Sequence, residues 1–223
     1  MGRIGLVAFD VDGVLVPIKS SWEYLHEVFG TRKESRKYIE LYRSGRISYY
    51  EWMYLDTYEW IARFNGKLPK RVIVTELEKI PINEEFKAVF TYVREIGAKS
   101  AMISGGINIL VERVARHFNA DFWFSNVLLF DDNDYLIPGG MPVVPADKKG
   151  EVLRSLANQL GLRKEEVVYI GDSSWDESAF KEAGLSIIYG EDKEYPACIH
   201  ARNADDVLKA LESYNNGSYV CGD

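Results

Sequence analysis

Residues 3–15 read RIGLVAFDVDGVL, and this stretch decides the fold. Residues 3–9 read as a short buried strand, apolar or small after Arg3 and without polar alternation, the pattern of a strand covered on both faces. The run stops at Asp10. Open parallel sheets bind ligands beyond the carboxyl ends of their strands, so Asp10 and Asp12 stand where such a site is expected. One carboxylate at such a place can act as a nucleophile while its neighbour moves a proton. Gly13 allows positive φ or close backbone passage. Taken alone, the same residues also suit a solvated turn.

Working outward, the chain separates into two grammars. Residues 1–15 and 82–214 alternate strands with helices. Strands are expected at 98–103, 167–170 and 185–189, and helices near 83–96, 107–118, 148–160, 175–183 and 204–213. Between them, residues 16–81 read as an all-helical insertion, with helices near 33–43 and 48–64 and an N-cap at Ser21. The 48–64 segment is rich in aromatics on more than one side, which suits a bundle core or a cleft wall. The fold class is α/β: a Rossmann-like parallel-sheet core with an inserted helical domain. Asp131-Asp132-Asn133-Asp134 reads as a hairpin turn, and residues 215–223 as a polar, frayed tail.

The length, 223 residues, suffices for one core plus a modest accessory module. Formal net charge is -7, which disfavours a nucleic-acid surface. No apolar stretch is long enough to span a bilayer, so no membrane partner is expected and the cytoplasm is the default location. The two cysteines, Cys198 and Cys221, form no metal cluster, and a disulfide is not expected of them. His26, His117 and His200 share no motif and read as surface or structural residues. Trp52, Trp60 and Phe64 read as core of the helical insertion.

Three more segments carry chemistry beside the first. Ser104-Gly105-Gly106 follows a buried strand and opens an amphipathic helix, where a hydroxyl and free N–H groups form an anion site or a plain N-cap. Lys149, before Gly150, can neutralise a phosphate and an attacking carboxylate, although lysines at helix starts are commonly solvated. Asp172 ends another strand, placed for a hard cation, and Asp176 is a second ligand or the partner of the lysine. Either aspartate also suits helix N-capping. Together the four segments supply an in-line nucleophile, charge neutralisation and a proton donor, the needs of phosphoryl transfer.

In this order the segments resemble the haloacid dehalogenase-like hydrolases, and among them the phosphoserine-phosphatase-like branch, over nearly the whole chain. The resemblance implies Asp10 as nucleophile and Asp12 as general acid/base, with Mg²⁺ held by Asp10, the Asp12 backbone carbonyl and Asp172. It implies that Ser104, Gly105 and Lys149 bind the phosphoryl group, that Asp176 supports them, and that the insertion is a cap. A small phosphorylated metabolite is the implied substrate and phosphomonoester hydrolysis the implied reaction. A phosphomutase or phosphotransferase using the same aspartyl-phosphate is the alternative, as is a regulatory phosphate binder. The oligomeric state stays open. Two departures, Gly13-Val14 and GDSSWDE at 171–177, keep every acid.

The cap is where the resemblance weakens. The branch selects serine with an acidic residue early in the cap and an arginine later. Ungapped alignment of the first motif puts Lys19 at the acidic position. Anchoring on Gly45-Arg46-Ile47-Ser48-Tyr49 puts Asp56 at the arginine position, seven residues past Tyr49. Each charge is inverted, so phosphoserine is not the expected substrate. Lys19, Trp22 and Tyr49 are candidate substrate contacts.

Overall fold

A computed structural model describes residues 4–190, 196–219 and 221. Strand β1 (Leu6–Phe9) is buried along its whole length. Its residues divide by alternation: Val7 and Phe9 join one apolar cluster and Leu6 and Ala8 the other. Full burial of Leu6, Val7 and Phe9 contributes about 1.5–3 kcal/mol each. An absence of polar alternation thus reports a strand with both faces covered.

Helices α1 (Ser21–Val28), α2 (Arg32–Arg43), α3 (Tyr49–Arg63) and α4 (Lys70–Glu78) follow as the cap. The last of these was not foreseen. It starts directly after Pro69, which supplies no capping side chain. Ser20, not Ser21, caps α1, accepting from the Glu23 N–H. A capping box between Ser48 and Glu51 opens α3. The chain then runs through α5 (Lys87–Glu95), β2 (Lys99–Ile107), α6 (Asn108–Phe118), β3 (Phe122–Asn126), α7 (Lys149–Gln159), β4 (Val167–Gly171), α8 (Glu177–Phe180), β5 (Leu185–Tyr189), β6 (Ile199–Ala201) and α9 (Ala204–Asn215).

The described strands form one sheet in the order β3-β2-β1-β4-β5-β6, with every neighbouring pair parallel. The strand order reverses between β1 and β4, so the crevice beyond their carboxyl ends is the natural ligand position. Cap residues Trp22, Leu25, Met53 and Trp60 belong to the same apolar cluster as Val7, Phe9 and Phe90. The helical insertion therefore shares its core with one face of the sheet. The 131–134 turn is formed as expected, with Asp131 Oδ1 accepting from the Asn133 and Tyr135 N–H groups.

Two expectations fail here. The SGG segment does not open a helix: it lies in the irregular end of β2, and α6 begins only at Asn108. Side chains hold it extended, because Trp22 Nε1 and Asn126 Nδ2 both donate to the Gly105 carbonyl and Ile107 N–H donates to Ser21 Oγ. The other failure concerns the cysteines. Cys198 and Cys221 form a disulfide across 23 positions, and Tyr219 Oη donates to the Cys198 carbonyl at 2.9 Å. The tail through Tyr219 is thus docked rather than frayed, because α9 returns the chain beside β6. The remaining tail positions and Arg3 lie outside the described residues.

Candidate active site

Asp10 leaves β1 with both oxygens engaged. Oδ1 accepts from the Val11 N–H at 2.7 Å, and Oδ2 accepts from Lys149 Nζ. Lys149 is the first residue of α7 and is buried, with a second bond to Asp176 Oδ1 at 2.7 Å. An ammonium carries three N–H donors, so one remains for a further acceptor. The two carboxylates hold its charge firmly, keeping its pKa well above the usual lysine range against the cost of burial.

Asp176 makes the lysine contact, one of the two roles that sequence left open, and its oxygens also stand in the acidic cluster with Asp10 and Asp172. Its Oδ1 accepts from Lys149 and from Tyr169 Oη at 2.8 Å, and its Oδ2 from the Asp172 and Ser173 N–H groups at 3.1 and 3.2 Å. A carboxylate so fully occupied holds the lysine and the loop. Gly171 permits this, since a Cβ there would stand 2.3 Å from Asp176 Cγ.

Asp12 is anchored through one oxygen only. Oδ2 accepts from Ser21 N–H at 2.7 Å and from Ser21 Oγ at 2.8 Å. Its Oδ1 is buried with no hydrogen-bond partner among the described residues. Burial raises its pKa, partly offset by the two Ser21 bonds. Asp12 is therefore suited to carrying a proton.

Asp172 follows β4, and Gly13 at φ 80° lets it approach, because a Cβ at Gly13 would lie 2.0 Å from Asp172 Oδ2. Oxygens of Asp10, Asp172 and Asp176 lie within 4.8 Å of one another. Burial first, then repulsion from Asp10 and Asp176, pushes Asp172 up to about 8. Asp10 is pushed up to about 7 by burial, with Lys149 opposing. Four carboxylates around one ammonium leave an excess of negative charge that a hard divalent cation would cancel. The donor set, all oxygen, fits such an ion.

Asp10, Asp12, Ser104, Gly105, Lys149 and Asp172 line a small cavity of about 100 Å³. Ser104 is fully buried, its Oγ accepting from the Gly106 N–H at 3.1 Å. Lys19, Trp22 and Tyr49 also line this cavity, so every expected site residue except Asp176 faces one space.

A larger chamber of about 310 Å³ adjoins it, sharing Lys19, Trp22, Tyr49, Trp52 and Trp175 and adding Arg43 and Asp56. Trp52, expected in the cap core, is a cleft wall, whereas Trp60 is fully buried. Asp56 is 2% exposed, with Oδ1 3.0 Å from His26 Nε2. Trp60 Nε1, a donor only, lies 3.1 Å from His26 Nδ1, so Nδ1 accepts and the proton sits on Nε2. His26 is thus a fully buried structural histidine, hydrogen-bonded through Nδ1.

Ser21, Asn126 and Tyr169 were missed by sequence reasoning. Asn126 Nδ2 reaches Tyr49 Oη and the Gly105 carbonyl, both at 2.8 Å, tying the cap to the β2 loop. Only the periodic signal at Ser21 was visible, and it suggested a cap.

Comparison with known proteins agrees with this geometry. A family model for haloacid dehalogenase-like hydrolases matches residues 4–184. A phosphoserine phosphatase from Methanocaldococcus jannaschii is 26% identical, covering 93% of this chain and 97% of that protein. Another, from Archaeoglobus fulgidus, is 27% identical over 92% of this chain but only 54% of its own length. Among solved structures, an apo phosphoserine phosphatase superposes with TM-score 0.74 at 25% identity, covering 93% of this chain and 98% of that one. A phospho-aspartyl intermediate analogue of phosphoserine phosphatase gives TM-score 0.77 at 24% identity, covering 93% and 99%. The chain belongs to the haloacid dehalogenase-like hydrolase family, in its phosphoserine-phosphatase-like branch.

Proposed function

We propose that this chain is a Mg²⁺-dependent phosphomonoesterase that works through an aspartyl-phosphate and is not selective for phosphoserine. The observation that carries the reading is the division of labour between two aspartates at one strand end. Asp10 is held by Lys149, whereas Asp12 keeps a buried, unpartnered oxygen at the same cavity.

In the first step an Asp10 oxygen attacks phosphorus and the ester oxygen departs with the proton of Asp12. In the second, water attacks the acyl phosphate, Asp12 takes the proton, and phosphate leaves with Asp10 regenerated. Lys149, through its remaining N–H, and Ser104 hold phosphoryl oxygens. Asp10, Asp172 and the Asp12 carbonyl would hold the metal, and Asp176 would orient Lys149. The ion would supply charge neutralisation of the phosphoryl oxygens and keep Asp10 ionised near neutrality. Residues 1–15 and 82–214 serve as catalytic core and 16–81 as the selecting cap.

The substrate reading rests on Lys19 and Asp56, which line the chamber with charges opposite to those a serine clamp needs. The test is phosphate release from a panel of phosphomonoesters, with Mg²⁺ and with chelator. Metal-dependent release is expected, with phosphoserine at least about tenfold below the best ester in kcat/KM. Metal-independent release, or phosphoserine at the head of the panel, contradicts the reading.

A further inference from the structure

Asp56 is the most unusual group in the cap, and the catalytic steps do not use it. Oδ1 lies 3.0 Å from His26 Nε2 without a well-aligned hydrogen bond, and among the described residues neither carboxylate oxygen has a hydrogen-bond donor. Burial pushes its carboxyl upward, with the His26 contact opposing. A carboxylate is an acceptor-only group, so one that is 2% exposed and left without an aligned donor calls for a donor from the chamber it lines.

The surroundings narrow the donor. Asp56 lines the larger chamber and not the phosphate cavity, whereas Lys19 lines both. Arg43 stacks over the Trp175 ring at 5.1 Å and also lines the open surface groove, so it sits at the rim. The chamber's charged lining is thus Lys19 and Arg43 against Glu23, Asp56 and Asp172, and of these acids only Asp56 is a cap residue that is also buried. Trp22, Tyr49 and Trp52 stand between. Aromatic walls beside a buried carboxylate are an ammonium-binding environment, since ring faces attract cations and the acid neutralises them.

We propose that the chamber accepts the leaving group of an amino-alcohol phosphate, its ammonium directed to Asp56 Oδ2 and its alkyl body against Trp22, Tyr49 and Trp52. This rests on the phosphomonoesterase reading above and names its substrate class. A carboxylate at that end of the substrate meets Asp56 and is rejected.

The test compares 2-aminoethyl phosphate with n-propyl phosphate, which match in size and differ in the ammonium, and with 2-phosphoglycolate, which bears a carboxylate. Two readouts are taken: kcat/KM, and equilibrium binding by tryptophan fluorescence in an Asp10→Asn background. The amino ester is expected to lead the propyl ester by at least about tenfold, with 2-phosphoglycolate last. In Asp56→Asn, which keeps the size and removes the charge, the lead should shrink to about twofold or less. Trp52→Leu should reduce it without touching the His26 pair, which keeps the test alive should Asp56→Asn fail to fold. If no ester is hydrolysed, the phosphatase reading fails while the binding ratios still decide the chamber's preference. Equal binding of amino and propyl esters, or a lead that survives both substitutions, overturns the proposal.

Discussion

The floor of the site and the wall of the chamber both bury aspartates, yet they handle the charge in opposite ways. On the floor, Asp10 and Asp176 share the Lys149 ammonium, and Asp176 collects further donors from Tyr169 and the following loop. In the wall, among the described residues, Asp56 has only the His26 imidazole 3.0 Å away and no aligned hydrogen bond. Engaging both oxygens of Asp10 and of Asp176 fixes geometry, and fixed geometry is what an in-line displacement needs. Leaving one acceptor open reserves it for a ligand. The contrast assigns chemistry to the strand ends and selection to the cap, and it can be broken from either side.

The largest effect is expected at Asp10. Asp10→Asn keeps the size and the Val11 contact but removes the proposed nucleophile, so kcat should fall at least about a thousandfold with the fold intact. Steady-state kinetics on a sample checked by mass spectrometry for deamidation measures this. Near-normal turnover would mean that the floor is not where chemistry occurs.

Next comes the metal. Asp172→Ala should weaken Mg²⁺ binding and reduce kcat/KM by about a hundredfold, with calorimetric titration and kinetics moving together. Unchanged Mg²⁺ affinity would remove Asp172 from the ligand set. The same residues set a pH dependence. Asp10 and Asp172 have folded pKa values near 7 and 8, raised above the ordinary carboxylate value by burial. The folded state therefore binds protons more tightly than the unfolded one, and stability is lost as pH rises through these values. Metal-free protein should melt at a lower temperature at pH 8.5 than at pH 6, and Mg²⁺ should restore more stability at the higher pH. A flat profile, equal with and without Mg²⁺, would contradict this sign.

Much of the floor was legible because its residues follow strands, and a strand end fixes where a side chain goes. Asp10, Ser104 and Asp172 converge since β1, β2 and β4 are neighbours in one parallel sheet. What escaped were contacts distant in sequence and chemically unremarkable. Ser21 meets Asp12 across a loop, and Asn126 links Tyr49 to Gly105, and neither pairing leaves a periodic trace. The SGG segment has the residues of a helix start, but Trp22, Asn126 and Ser21 hold it extended from outside. The Asp56 charge was readable and its burial was not, because the His26 and Trp60 contacts that permit burial depend on how the cap helices pack. The disulfide was missed for a related reason: 23 positions say nothing about whether a tail returns to the last strand.

The smallest expected effect lies at the seam between floor and wall. Ser21 opens α1, a cap helix, yet both its N–H and its hydroxyl bond Asp12 Oδ2, and its Oγ also accepts from the Ile107 N–H. Ser21→Ala keeps the N–H contact and removes the other two. Stability should fall by about 1–3 kcal/mol, the cost of leaving the buried Ile107 N–H unpaired. If Ser21 also positions Asp12, kcat should drop about tenfold with little change in KM, because Asp12 acts in proton transfer rather than in substrate binding. The pH profile separates these outcomes. Ser21 bonds pull the Asp12 pKa down against burial, so losing one lets it rise. Asp12 must be protonated to release the alcohol, hence the alkaline limb of kcat should move to higher pH. A variant that melts earlier but keeps kcat and its alkaline limb would make Ser21 a packing residue, and the cap would then have no part in the chemistry.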